Sequence, residues 1–351
     1  MVKIAVYAIA KNEAKHVKQW VDATQGADVR IVLDTGSEDS TYNLLVQHDV
    51  ETHSATLNDF RFDVARNMAL DLVPADVDVC VSLDMDEIPD PDFFDQIREH
   101  WKPDTTRAWV KYLWDPTTKN IWNNNIRVHA RNGYTWNYPC HEIIEAEGLE
   151  NIITIDTLIT HRPDNTKPRS SYLPLLELGH SEDPADHRMI VYLAREYYFN
   201  GMWQEVIDVG KKLEYIPGWN VERAQTWRLI GEAYCKLGND REGLYWYQRN
   251  VEEAPEDLEA WMPLAFYYYE RKMWNHCYQA AIKVEELSLA LHEHYITDQS
   301  MPWKMYDLLS IACWSLGKKE FAKKYAHRAV ELNPENERLI KNYEFINKHP
   351  A

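Results

Sequence analysis

No apolar stretch in this sequence approaches the ~20 residues that a membrane-spanning helix requires, so no transmembrane segment is expected. The apolar run at the N-terminus is too short and too strand-like for a signal peptide. Cysteine is scarce, and its five occurrences, Cys80, Cys140, Cys235, Cys277 and Cys313, show no paired spacing. That excludes a disulfide framework and a Cys-based zinc site, and it points to a reduced, cytoplasmic compartment. Positive charge is also short: 38 Lys and Arg against 56 Asp and Glu leave a net charge of −18. Such a surface disfavours nonspecific binding to DNA or an anionic membrane, although a local basic patch at 162–169 can still meet phosphate. What is there is a chain of 351 residues, for which two domains of ordinary size are the prior.

The first third alternates between strand and helix patterns. Ile4 to Ala10 reads as a strand broken by Lys11-Asn12-Glu13, and an amphipathic helix follows to about Ala23. A second strand, Val29 to Leu33, ends in Asp34-Thr35-Gly36-Ser37, which supplies a turn and the start of a helix reaching Gln47. Then come a short strand near Val50-Glu51-Thr52, a helix from about Asn58 to Leu72, and a buried strand over 79–83. This βαβαβαβ order predicts a parallel sheet with ligands at the carboxyl ends of its strands. Asp34 and Asp84 both fall at such ends; Asp34 serves equally well as an ordinary helix cap. In Leu83-Asp84-Met85-Asp86-Glu87 the two aspartates are one residue apart, so strand alternation would point them the same way. Paired carboxylates of this kind suit Mg²⁺ or Mn²⁺, which bind through one or two protein oxygens plus substrate phosphates.

Ala10-Lys11-Asn12-Glu13, the run from Val32 to Thr41, Phe62-Asp63-Val64-Ala65-Arg66-Asn67-Met68-Ala69-Leu70 and Leu83-Asp84-Met85-Asp86-Glu87 resemble, in order, the four signatures of family-2 glycosyltransferases of the GT-A fold. The resemblance covers about residues 1–180 and is densest before residue 90. It implies a Rossmann-like mixed α/β sheet and an inverting, metal-dependent transfer of sugar from a nucleotide-diphosphate sugar, a UDP-sugar, to an acceptor. By that resemblance Asp34 takes a hydrogen bond from the base beside the backbone of Ala8 and Ala10, with Asn12 and Glu13 in the same donor-binding element. Arg66 lies near the base or phosphates, and its competing role is a helix-surface ion pair with Asp63 or Asp59. Asp84 faces the ribose or a metal-bound water, and Asp86 is the direct metal ligand.

Inverting transfer also needs a base for the acceptor proton. Trp136-Asn137-Tyr138-Pro139-Cys140-His141-Glu142 looks like the His-Glu element found late in such domains, which makes Glu142 the candidate base and Asp115 the alternative. His141 and His161 compete for a place in the metal shell. His161 follows the strand Ile152–Ile159 and precedes Arg162, Lys167 and Arg169, cations suited to a diphosphate or simply to a solvated basic loop. His141 serves equally as a buried hydrogen-bonded side chain beside Trp136 and Tyr138. Trp109, Trp114, Trp122 and Trp136 offer aromatic faces for the acceptor side.

Near residue 185 the pattern changes. Trp227-Arg228-Leu229-Ile230-Gly231-Glu232-Ala233-Tyr234 is similar to the tetratricopeptide signature, and Trp261-Met262-Pro263-Leu264-Ala265-Phe266-Tyr267-Tyr268 repeats it 34 residues later. An earlier copy lies at Leu193–Tyr197 and a later one at Leu309–Cys313, after an insertion near 288–304, with a charged helix over about 335–347 as a cap. The 14 Trp and 21 Tyr are mostly accounted for by interlocking of these helix pairs. The expected organisation is a GT-A domain over 1–185 and an all-α solenoid over 186–351, whose concave surface suits extended ligands. Acceptors in keeping with this plan are a glycan, a peptide side chain or, against the acidic balance, a modified DNA base. The repeats could also hold a protein partner or self-associate. The competing function is a noncatalytic solenoid scaffold carrying a vestigial nucleotide-sugar-binding domain.

Overall fold

The computed structural model describes residues 1–116, 120–163, 172–290 and 301–349. The chain divides into two compact units, Met1–Gly179 and His180–Ala351.

In the first unit the elements run β1 (Ile4–Ala10), α1 (Ala14–Ala23), β2 (Val29–Asp34), α2 (Thr41–Gln47), β3 (Glu51–Ser54), α3 (Phe62–Asp71) and β4 (Val79–Ser82). They continue with β5 (Glu87–Pro89), α4 (Phe93–His100), β6 (Arg107–Asp115), β7 (Asn120–Ala130), β8 (Tyr134–Asn137), β9 (Ile143–Ala146) and β10 (Ile152–His161). Eight strands form one sheet in the order β3-β2-β1-β4-β7-β6-β10-β5, and β8 and β9 make a separate antiparallel ribbon. The first four strands are parallel, as the alternation predicts. β7 runs antiparallel to both β4 and β6, and β10 is parallel to β6. The carboxyl ends of β1, β2, β4, β6 and β10 therefore share one edge of the sheet, and every sequence-derived candidate at a strand end meets there.

The sheet is buried on both faces, which explains why its central strands are apolar throughout. Ile4, Val6 and Ala8 face the side covered by Val17 and Trp20 of α1 and Phe93 and Ile97 of α4. Ala5 and Tyr7 face the other side with Ala69 and Leu70 of α3, Trp136 and Ile144. The helix expected from Asn58 begins only at Phe62.

The second unit is a succession of antiparallel helix pairs. After α5 (Tyr172–Glu182), most of which belongs to the first unit, come α6 (His187–Phe199), α7 (Trp203–Gly210), α8 (Asn220–Lys236), α9 (Asp240–Glu253), α10 (Leu258–Glu270) and α11 (Trp274–Ala290), then α12 (Met301–Ser315), α13 (Lys319–Leu332) and α14 (Glu337–Lys348). Trp227 and Trp261 lie on the first helices of successive pairs, and the pairs bury their aromatics in continuous cores. Side chains of Asp186, Asn239, Asp257 and Asn336 cap α6, α9, α10 and α14, satisfying amides that helix starts leave unpaired. Among the described residues no helix is long and apolar enough to cross a membrane.

Candidate functional site

Two loops at the carboxyl ends of β1 and β2 are laced together. The Asn12 amide donates to Ser37 Oγ, the Glu38 amide to Asn12 Oδ1, and the Glu13 amide to Thr41 Oγ1. Asn12 takes a left-handed backbone, φ 56°, to make this turn. Ala8 is fully buried in register with Val32, and the Ala10 carbonyl accepts from the Thr35 amide, so both alanines build the floor of the site. On that floor sits Asp34, 2% exposed. Its Oδ1 accepts the amides of Gly36 and Ser37 at 2.9 and 2.8 Å, while the buried Oδ2 has no partner.

The loop after β4 departs from the expected strand alternation. β4 stops at Ser82, and the Glu87 amide donates to the Asp84 carbonyl at 2.9 Å, closing a turn that sends Asp84 and Asp86 to different partners. Trp20 Nε1 donates to the Leu83 carbonyl and pins the start of this turn to α1. Asp84 turns inward. Its two oxygens accept from Nη1 and Nη2 of Arg66 at 2.8 and 2.9 Å, and Arg127 Nη2 approaches Oδ2 at 3.2 Å. Arg127 also reaches Glu87 at 2.5 Å, where Tyr112 donates its hydroxyl at 2.8 Å. Arg66 Nε completes the network on Glu142 Oε1 at 2.5 Å. Two guanidiniums thus face three carboxylates, the arrangement that makes buried charge tolerable. Burial pushes the Asp84 carboxyl up, but Arg66 and Arg127 outweigh it and hold that group far below the usual carboxylate range. For Glu87 burial dominates and the carboxyl is raised.

Asp86 turns the other way and meets His161, whose Nε2 lies 3.4 Å from Asp86 Oδ2. His161 Nδ1 donates to the Trp114 carbonyl at 3.1 Å, which directs Nε2 at the carboxylate. Burial lowers the imidazole pKa, yet the Asp86 contact and the Trp114 carbonyl reverse this and leave it raised. The Arg162 amide donates to the Asp86 carbonyl, fastening the end of β10 to the same turn. Of the two competing histidines, His161 is therefore the one brought onto Asp86. His141 stacks on Tyr172 at 5.8 Å in the β8–β9 loop, where Tyr138 and His141 both adopt left-handed backbone.

The Ala65-Arg66-Asn67 element has a structural explanation. Ala65 is fully buried, Arg66 centres the ion cluster, and Asn67 clamps Trp136 by exchanging hydrogen bonds with its backbone. Arg66 does not pair with Asp63, which takes Arg61 instead. Trp136, expected on the acceptor side, is core: it is 3% exposed, donates Nε1 to Tyr7 Oη and lies under the Arg66 guanidinium. Lys167 and Arg169 lie outside the described residues, as do the side chains of Asp115 and Trp122. Arg127, Glu87 and Tyr112 were not singled out from the sequence; only Glu87, adjoining the aspartates, carried a local signal.

Among the described residues no group of three or more His, Cys, Asp and Glu side chains converges as a metal cage. Asp86 with His161 offers a carboxylate and an imidazole nitrogen, a pair that suits Mn²⁺ better than the oxygen-preferring Mg²⁺ when substrate phosphates and water complete the shell.

No protein-family model and no curated protein matches the chain. Among solved structures it is similar to the N-terminal domain of stress-induced protein-1 from C. elegans, at 18% identity over 37% of this chain and 99% of that one, TM-score 0.33. It is also similar to the first TPR of Spaghetti (RPAP3) bound to an HSP90 peptide, at 21% identity over 36% and 93%, TM-score 0.32. A third likeness is to MamA, at 16% identity over 47% and 89%, TM-score 0.39. Each spans less than half of this chain, and at these scores none bears on activity.

Proposed function

We propose that the first unit binds a nucleotide-diphosphate sugar with Mn²⁺ or Mg²⁺ as the donor half of an inverting glycosyltransferase, and that the helical repeats bind a protein or another extended partner. The observation that carries the donor site is the unpartnered, buried Asp34 Oδ2 at the carboxyl end of a parallel strand. A buried acceptor left unpaired costs free energy, and a ligand donor at that point restores it. A carboxylate can only accept, so it selects a base edge with an N–H, which uracil presents. Asp86 and His161 would hold the cation, whose contribution is to offset charge on the departing diphosphate. Glu142 is the proposed base, with Asp115 the alternative. Calorimetric titration with UDP, with and without Mn²⁺, tests this reading; it stands if affinity requires both the metal and Asp34, and fails if UDP does not bind.

One observation favours a second reading. Arg66 and Glu142, which a catalytic site would offer to phosphate and to the acceptor proton, are bound to each other. A noncatalytic scaffold, whose repeats engage a protein while the first unit has no turnover, accommodates that pairing without rearrangement. Metal-dependent hydrolysis of UDP-sugars separates the two, since only the catalytic reading expects it.

A further inference from the structure

Asp86 sits on a short connection between strands that are not neighbours. β7, β6 and β10 lie between β4 and β5 in the sheet, and residues 83–86 alone join the two. This segment leaves the sheet, so side chains must hold it. Glu87, 1% exposed, accepts the Asp84 amide on Oε2 at 2.9 Å, and on Oε1 it accepts Arg127 of β7 at 2.5 Å and the Tyr112 hydroxyl of β6 at 2.8 Å. The acidic turn is tied in this way to two of the three strands it bypasses.

Tyr112 also acts on the other half of the Asp86–His161 pair. It stands in register with Ile159, two residues before His161 on β10, so the phenol and the imidazole share a face of the sheet. Their rings stack, with centroids 6.1 Å apart and planes at 26°. His161 is in turn paired with Glu87 across β10 and β5. One side chain, buried at 2% exposure, therefore holds the carboxylate that anchors the turn of Asp86 and backs the imidazole that faces Asp86. A phenylalanine would fill the same space without a hydroxyl to satisfy. Glu87 already has Arg127 for its charge, so what the hydroxyl adds is direction: it sets where Glu87, and with it the acidic turn, lies.

We infer that Tyr112 is the positioning residue of the Asp86–His161 pair: its hydroxyl, through Glu87, sets the turn that carries the carboxylate, and its ring sets the imidazole, so that both face one Mn²⁺. The inference rests on the cation site of the donor reading proposed above. Groups that orient metal ligands are worth about 10- to 100-fold in affinity. The test is Mn²⁺ binding followed by electron paramagnetic resonance on the full chain, with and without UDP, in wild type, Tyr112→Phe, Glu87→Gln and the double variant, with circular dichroism to verify folding. Tyr7→Phe is the control, since it also removes a buried hydroxyl from the same sheet, one that bonds His129 and Trp136 rather than the acidic turn. Tyr112→Phe and Glu87→Gln are each expected to weaken Mn²⁺ binding about tenfold or more, and Tyr7→Phe to leave it at the wild-type value. Because the hydroxyl acts through Glu87, the double variant should lose no more than the larger single loss, a non-additivity that general destabilisation does not produce. Wild-type Mn²⁺ affinity in folded Tyr112→Phe, equal losses in Tyr112→Phe and Tyr7→Phe, or additive losses in the double variant overturns the inference. Should either single variant fail to fold, the other one compared with Tyr7→Phe decides. If wild type takes Mn²⁺ but not UDP, the donor reading fails while a tenfold loss in Tyr112→Phe still establishes the inference; if wild type takes no Mn²⁺ in either condition, both fail.

Discussion

Arg66 grips Asp84 with two parallel hydrogen bonds, Nη1 to Oδ1 at 2.8 Å and Nη2 to Oδ2 at 2.9 Å. Two-pronged pairing of this kind fixes both planes and leaves Asp84 little capacity for a second task. It divides the acidic turn: Asp84 is taken up by Arg66 and Arg127, while Asp86, one residue beyond Met85, faces His161.

That division predicts opposite phenotypes. Asp84→Asn leaves Arg66 and Arg127 short of negative charge in a mostly buried setting, and a loss of up to about 3 kcal/mol is expected. Asp86→Ala removes a partly exposed carboxylate from a turn, so chemical denaturation should show little change while Mn²⁺-dependent UDP affinity disappears. If the Asp86 variant keeps that affinity, Asp86 is not the metal ligand.

Glu142→Gln separates a structural carboxylate from a catalytic one. The amide still offers an oxygen to Arg66 Nε but cannot take a proton, so kcat for sugar transfer should fall about 10²-fold or more with donor binding close to wild type. Asp115→Asn is the companion variant. Inactive Asp115→Asn alongside active Glu142→Gln would exchange the two roles.

What the sequence made legible was local. Strands β1, β2 and β4, the Asp34 turn and the repeat spacing at Trp227 and Trp261 each follow from patterns within a few dozen residues. The ion cluster was not legible because its members are distant: Arg66 meets Glu142 across 76 residues and Arg127 meets Asp84 across 43. Strand alternation misjudged the aspartates for a different reason, a turn hydrogen bond that ends the strand before it reaches them. Trp136 was misread because an indole looks alike in sequence whether it covers a sugar or a core, and only the Tyr7 hydroxyl decides.

A buried histidine should govern the acid limb of stability. His129 is fully buried, donates Nδ1–H to the Ala130 carbonyl and accepts the Tyr7 hydroxyl at Nε2. Burial pushes its pKa down to about 3, whereas the unfolded chain titrates near about 6.5. Between those values the unfolded state binds a proton that the fold refuses, so stability is full above about pH 6.5 and falls on acidification, by at most about 1.4 kcal/mol per pH unit for this group. His129→Gln removes that proton. Urea denaturation from pH 7 to pH 4.5 should then show a shallower loss than wild type, and parallel curves would refute the assignment. His180 and His187, also lowered by burial, contribute equally to both proteins and cancel.

The helix pairs offer a prediction with an internal control. Four connections between paired helices use a left-handed residue, Gly201, Gly238, Lys272 and Gly317, with φ of 70°, 80°, 55° and 73°. In each the next amide donates to a carbonyl five residues back: Met202 to Tyr197, Asn239 to Tyr234, Met273 to Tyr268 and Lys318 to Cys313. This is a helix-terminating pattern that glycine enters without steric cost, and lysine occupies it in one pair alone. Lys272→Gly should therefore raise the unfolding free energy measured in urea by roughly 0.5–1 kcal/mol, because relief of left-handed strain exceeds the added chain entropy of glycine. Gly238→Ala should lower it by about 1 kcal/mol; no atom lies within 4 Å of the added Cβ, so that cost is conformational and not a clash. A lower midpoint for Lys272→Gly would mean that contacts of the lysine side chain outweigh the strain of its backbone, and the four turns would then differ in what holds them.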